Sequence, residues 1–143
     1  MANDEVITEA TSLFPVVAAA LIGDAGHVLL QRRSPGSAMA GLWEFPGGKM
    51  EAGETPEAAL VRELREELDI GVAQATLAPL AFASAPLGAR HLLLLLYLTR
   101  EWTGRPRPLA ASELRWVRPA EMRDLAMPPA DRPLVAMLER LIG

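Results

Sequence analysis

Residues 48–70 read GKMEAGETPEAALVRELREELDI. Thr55-Pro56 within them is a helix start, with a hydroxyl at the N-cap and proline at the first helical position, where its missing N–H does no harm. Leu60, Val61, Leu64 and Leu68 then recur at helical spacing, which predicts a helix from Pro56 to about Leu68 with one apolar stripe turned to a core. Glu63, Glu66 and Glu67 stand at i, i+3 and i+4, so the same helix carries their carboxylates together on a face beside that stripe. Like charges so placed repel. Arg62 and Arg65 offset part of the repulsion, and a hard divalent cation such as Mg²⁺, which prefers oxygen ligands, would offset more. For E-x-x-E-E taken alone, a solvated acidic helix face is the competing reading. The context favours a ligand: Pro46-Gly47-Gly48-Lys49 just before the helix is a tight turn that can offer backbone carbonyl and amide groups.

Outward from this helix the chain is rich in strand signals. Phe14 to Ile22 is a Val-rich apolar run, Gly23-Asp24-Ala25-Gly26 is a turn, and His27 to Leu30 resumes as a strand, which together predict a hairpin. Leu42 to Phe45 is a short apolar stretch broken by Pro46-Gly47-Gly48. Leu77 to Ser84 and His91 to Thr99 read as strands around a Pro86–Gly88 turn, and Leu114 to Val117 as another. Pro119 to Leu125 and Pro133 to Ile142 suggest a short and a longer helix. The order β-β-β-α-β-β-β-α lacks a regular βαβ alternation, so the expected class is α+β with sandwich packing and not a doubly wound parallel sheet. Residues 1–12 show no period and are expected to fray, leaving 13–143 as a single domain.

Composition narrows the function. Half of the 143 residues are apolar and 22% are charged, enough for one core and too apolar for a disordered chain. There is no cysteine, which excludes disulfides, zinc-thiolate sites and a cysteine nucleophile, and the two histidines, His27 and His91, exclude a histidine-rich metal site. The apolar runs, Phe14 to Ile22 and Leu92 to Leu98, are far short of the ~18 residues a membrane helix needs. The acidic start Met1-Ala2-Asn3-Asp4-Glu5 is unlike a signal peptide, so a cytoplasmic location is expected. Residues 48–70 hold seven acids and three bases, and their net charge of -4 equals that of the whole chain. A nucleic-acid-binding surface would have the opposite sign, so no stable nucleic-acid partner is expected.

The spacing Gly48, five residues, Glu54, seven residues, then Arg62-Glu63-Leu64-Arg65-Glu66-Glu67-Leu68-Asp69-Ile70 resembles the signature of the Nudix hydrolase family. The one departure is Asp69, where the family usually has glycine; the position is the helix exit, and Asp tolerates the left-handed conformation. Gln31-Arg32-Arg33, Trp43-Glu44-Phe45-Pro46-Gly47-Gly48-Lys49 and Met127 to Leu134 look like the MutT branch, the 8-oxo-dGTP diphosphatases and related dNTP and CTP pyrophosphohydrolases. The resemblance implies a Nudix fold, a mixed β-sheet packed between α-helices in an α/β/α sandwich. It implies a Mg²⁺-dependent hydrolase, with Mn²⁺ as the alternative ion, that cleaves an oxidised or modified nucleoside triphosphate to NMP and pyrophosphate, as a monomer or homodimer. By the same resemblance, Glu63, Glu66, Glu67 and the Gly47 carbonyl would hold metal, and Arg62 would orient a glutamate. Glu54 would support the loop or an outer metal shell, and either Glu63 or Glu66 would take the proton from water. Arg33 and Lys49 would meet the phosphates, with Lys49 and Arg62 counted in the catalytic set.

Several positions carry two readings. Phe45 would wall the base pocket or simply pack the core, and Trp43 is core or pocket wall. Asp131 would face a base-edge N–H or amino group, or cap the helix at Pro133. A glutamate common in MutT-like chains falls at Ala110, for which Glu113 is either a substitute or a plain exposed acid. The turn Ala85 to Arg90 offers only Arg90, beside His91, for base recognition; His91 reads as structural and His27 as exposed and incidental. Two alternatives to the leading function are a Nudix hydrolase of another nucleoside diphosphate derivative, such as ADP-ribose or a dinucleotide, and a non-catalytic nucleotide-binding module. The retained glutamates favour catalysis over the module.

Overall fold

A computed structural model describes residues 11–143. The expected frayed segment therefore lies outside the described residues up to position 10, and Ser12 already belongs to the first strand. The elements are β1 (Ser12–Leu21), β2 (Val28–Arg32), β3 (Trp43–Glu44), β4 (Gly47–Lys49), α1 (Pro56–Leu68), β5 (Ala78–Leu87), β6 (Arg90–Thr99), β7 (Glu113–Val117) and α2 (Arg132–Ile142), joined by loops and short 3₁₀ turns.

The strands form a four-stranded mixed sheet, β4-β1-β6-β5, and a three-stranded antiparallel sheet, β3-β2-β7. In the larger sheet β1 runs parallel to β6 and antiparallel to β4. The continuous apolar run of β1 follows from burial on both faces. Val17, Ala19 and Leu21 pack with Leu60, Leu64 and Leu68 of α1, and Ala18, Ala20 and Ile22 share the other core with Leu134, Val135 and Leu138 of α2. This is the expected α/β/α layering.

Two local expectations are corrected. The predicted hairpin of the first two strands does not form: β1 and β2 enter different sheets and share only the bridge Ile22 to Val28. β1 buries more by lying between β4 and β6 than a two-stranded ribbon could. The Pro46-Gly47-Gly48 breaker overlaps β4, whose first two residues it supplies, because glycine lets the backbone lie directly against β1. The short helix expected over Pro119 to Leu125 is present as a 3₁₀ helix over Pro119–Asp124.

The helix of the signature is built as its sequence dictates. Thr55 Oγ1 accepts from the Ala58 amide at 3.1 Å, and Asp69 closes the other end in the left-handed conformation (φ 58, ψ 40). The amides of Arg107 and Leu109 donate to the last carbonyls, Leu68 and Glu67, so the loop after β6 pins the end that carries the glutamates. The buried stripe is Ala59, Leu60, Leu64 and Leu68; Val61 is only half-buried.

Candidate active site

Two glycines set the geometry where β4 meets α1. Gly47 has φ +152, and a Cβ there would lie 2.0 Å from the Val17 carbonyl oxygen, so only glycine fits. A Cβ on Gly48 would lie 2.5 Å from the carboxyl carbon of Glu63. The bare backbone of β4 is thus what lets the acidic face of α1 approach the sheet.

The helix delivers its three glutamates to three environments. Glu63 is buried behind Gly48, Glu66 points outward with its side chain 59% exposed, and Glu67 turns half-buried toward β2 and β4. Positions i, i+3 and i+4 straddle the border between the apolar stripe and solvent, which separates them. Among the described residues no three acids converge into a ready-made cation cage.

Arg62 organises the outer part of this cluster. Its Nε and one terminal nitrogen donate to the two oxygens of Glu54 at 2.6 and 2.9 Å, a bidentate pair that holds the Glu54 carboxyl down at about 2. Its other terminal nitrogen donates to Glu63 at 3.1 Å and Glu66 at 3.2 Å. Glu54 also accepts from the Glu51 amide, closing the loop before α1.

Beside this cluster a cleft of about 570 Å³ opens on the α2 side of the larger sheet. Phe14, Val16, Ala18, Leu92 and Leu94 form its apolar floor, with Phe45 in the wall. Gly47, Lys49, Glu67, Arg33, Glu44, and Asp131 with Pro128 to Ala130 also line it, and the Glu44 charge is felt by both Glu67 and Asp131. Phe45 serves both its readings, being 3% exposed in the core and lining the cleft. Trp43 is core, with the Arg32 guanidinium 5.9 Å from its ring.

Burial raises three carboxyls along this cleft. Desolvation pushes Glu67 up to about 7, and the charges of Glu63 and Glu44 add to it; Gln31 and the Gly47 amide, donating to Oε1 at 3.0 and 3.2 Å, oppose it. Asp131 is pushed up to about 7 by burial and by Glu44, against the Phe45 amide and the charges of Arg33 and Arg132. Glu44 is raised by burial too, tempered by Arg33, which donates to it at 2.9 Å.

Asp131 is 6% exposed and its side chain makes no capping hydrogen bond to α2, so the cap reading is overturned and the carboxyl belongs to the cleft. Glu113 opens β7 opposite Arg32 and pairs with it at 3.5 Å. Strand alternation sends Arg32 away from the side on which Gln31 reaches Glu67, so Glu113 does not join the glutamates. Arg90 stacks over Phe14 at 3.9 Å and so backs the floor of the cleft. His91 bonds Ser84; His27, read as exposed, is half-buried and bonds the Asp24 carbonyl at 2.9 Å. In the sequence Gln31 and Glu44 stand out only as members of the flanking segments. Their opposition across β2 and β3 becomes visible only through the strand register.

A larger open hollow of about 1080 Å³ lies elsewhere, between Gly23, His27, Arg100, Trp102 and Trp116. It contains none of the clustered carboxylates, and the Trp116 ring is packed on Trp102 and Gly23.

A mixed sheet between two helices, with a glutamate-rich helix set against a glycine turn and an apolar cleft, is the setting of a family match, and with relatives named diphosphatase and pyrophosphohydrolase that match makes the chain a hydrolase of phosphoric anhydride bonds. The NUDIX domain model matches residues 13–138, and the chain belongs to that family. Within it the chain is of MutT type. It is 36% identical over 115 residues, 80% of this chain and 88% of the relative, to the 8-oxo-dGTP diphosphatase of Escherichia coli K12. It is 38% identical to the CTP pyrophosphohydrolase of the same organism, over 83% of this chain and 87% of that one. Among solved structures, the E. coli ORF135 protein superposes with a TM-score of 0.81 at 35% identity, covering 92% of this chain and 91% of the other. Nudix hydrolases generally use divalent metal ions, and the donor set here fits one by kind: carboxylate and carbonyl oxygens, with no thiolate or imidazole among them.

Proposed function

We propose that residues 13–143 form one catalytic unit, a Mg²⁺-dependent pyrophosphohydrolase of oxidised or modified nucleoside triphosphates in the cytoplasmic pool, releasing NMP and pyrophosphate. The observation that carries this reading is the layout of the cleft. One cleft gathers a buried acid, Asp131, in apolar surroundings, two bases, Arg33 and Lys49, and Gly47 with Glu67 of the signature helix. Those groups suit a base, phosphates and a metal of one nucleotide. The names of the relatives, 8-oxo-dGTP diphosphatase and CTP pyrophosphohydrolase, support the substrate class.

Glu63, Glu66, Glu67 and the Gly47 carbonyl would hold the Mg²⁺, which neutralises phosphate oxygens and acidifies water. Lys49 and Arg33 bind the phosphates as fixed positive charges. Arg62 orients Glu63 and Glu66 through one shared nitrogen, and one of these two accepts the proton of the attacking water. Phe45 and the floor exclude water from the base, while Asp131 meets a base-edge donor when ionised and can itself donate when protonated. The Asp131 position near neutrality makes both forms accessible.

The test is turnover of 8-oxo-dGTP, dGTP, dCTP, 5-methyl-dCTP, ATP and ADP-ribose by metal-stripped protein, with and without Mg²⁺. Mg²⁺-dependent release of NMP and pyrophosphate from a triphosphate is expected, and it should vanish in Glu66→Gln. Release of orthophosphate, preference for ADP-ribose, or turnover without metal would overturn the reading.

A further inference from the structure

Gln31 is a polar residue in a strand that otherwise turns apolar side chains inward. Val28, Leu29 and Leu30 before it are fully buried, and Gln31 itself is 3% exposed. Its side-chain nitrogen donates to Glu67 Oε1 at 3.0 Å and faces Glu44 Oε2 at 3.5 Å. This orientation of the amide is forced, since the reverse would set its oxygen against two carboxylates. In that orientation its own Oε1 is buried with no partner. A buried acceptor without a donor lowers stability, and methionine or leucine would fill the space without one, so what glutamine adds at this position is its donor to the two carboxylates. The Gly47 amide donates to the same oxygen of Glu67 at 3.2 Å. Residues from β2, β4 and α1 thus meet at one carboxylate oxygen.

We propose that Gln31 is a positioning residue of the hydrolytic site. With the Gly47 amide it occupies Glu67 Oε1, fixes the Glu67 side chain, and leaves Oε2 as the oxygen available to a bound cation. The inference rests on the reading of Glu67 as a metal ligand. It predicts a separation that a structural residue would not show: an apolar replacement leaves the fold intact and weakens the metal site.

The experiment compares full-length wild type, Gln31→Met, Gln31→Leu and Glu67→Gln. Each metal-stripped protein is melted in chelator and titrated with Mn²⁺ by electron paramagnetic resonance, without nucleotide. Steady-state kinetics with Mg²⁺ follow, on the nucleotide that wild type turns over fastest. Gln31→Met and Gln31→Leu should stay folded and melt within a few degrees of wild type, since the lost donor to the carboxylates is offset by removal of the unpartnered Oε1. Their Mn²⁺ dissociation constant should rise about 10- to 100-fold, the usual range for losing the outer partner of a metal ligand, and kcat should fall with KM for nucleotide little changed. Wild-type Mn²⁺ affinity in both Gln31 variants, while Glu67→Gln loses it, would overturn the role of Gln31 alone. Wild-type affinity in Glu67→Gln would overturn the ligand reading beneath it. A fall in melting temperature that accounts for the whole loss of binding would make Gln31 structural and overturn the proposal.

Discussion

Replacing Asp131 by asparagine should stabilise the protein, and only above a defined pH. The buried carboxyl is raised from 3.8 to about 7, chiefly by desolvation and then by the charge of Glu44. Below pH 3.8 it is protonated in both the folded and the unfolded chain, and there is no penalty. As pH rises from 3.8 toward 7, the unfolded chain ionises while the folded one keeps its proton, so folding stability falls. Above about 7 the carboxylate is ionised in the core and the penalty is complete. About three units at ~1.4 kcal/mol each amount to ~4 kcal/mol. Asparagine is nearly isosteric, keeps an oxygen for the Phe45 amide, and never ionises. Urea unfolding followed by tryptophan fluorescence, near pH 4, near pH 6 and near pH 8, measures the difference between the two proteins. It should be close to zero at the acid end, intermediate in the middle, and about 4 kcal/mol in favour of the Asp131→Asn variant at the alkaline end. A difference that does not change with pH would refute the reasoning, because it would mean that Asp131 titrates alike in both states.

Gly48→Ala would place a Cβ 2.5 Å from the Glu63 carboxyl carbon and should swing that flexible side-chain end aside, moving the denaturant melt little while abolishing metal-dependent turnover; melts and the nucleotide assay check it. Arg62→Lys cannot keep the two-pronged contact with Glu54 or reach Glu63 and Glu66 with one planar group. Its turnover should fall sharply while the melting temperature moves little, and parallel losses in both would contradict this. Leu64→Ala, at a fully buried position between α1 and β1, should lose about 2–5 kcal/mol in a denaturant melt and leave the nucleotide preference of the remaining folded enzyme unchanged.

The helix of the signature is legible because everything that makes it is local. The Thr55 cap, Pro56, the leucine spacing and the left-handed exit at Asp69 act within one or two turns, and the structure carries all of them. The glutamate spacing that marks the family belongs to the same short range. The sequence alone also determined the mixed α+β class, because the order of its strand and helix signals excludes regular βαβ alternation.

What depended on distant pairing was not legible. An apolar run followed by a turn and another apolar run is consistent with a hairpin. Only the competing partners β4 and β6 decide that β1 lies between them. Asp131 two residues before Pro133 has the spacing of a cap, and only the packing of its loop against Phe45 turns the carboxyl into the cleft. Gln31 and Glu67 are 36 positions apart, and no periodicity joins them. Local spacing determines which side chains share a helix face, since backbone geometry repeats within a few residues. Which of those side chains is buried, raised in pKa or held by a neighbour is decided by the tertiary structure, because desolvation and hydrogen bonding depend on atoms that the chain brings back from far away.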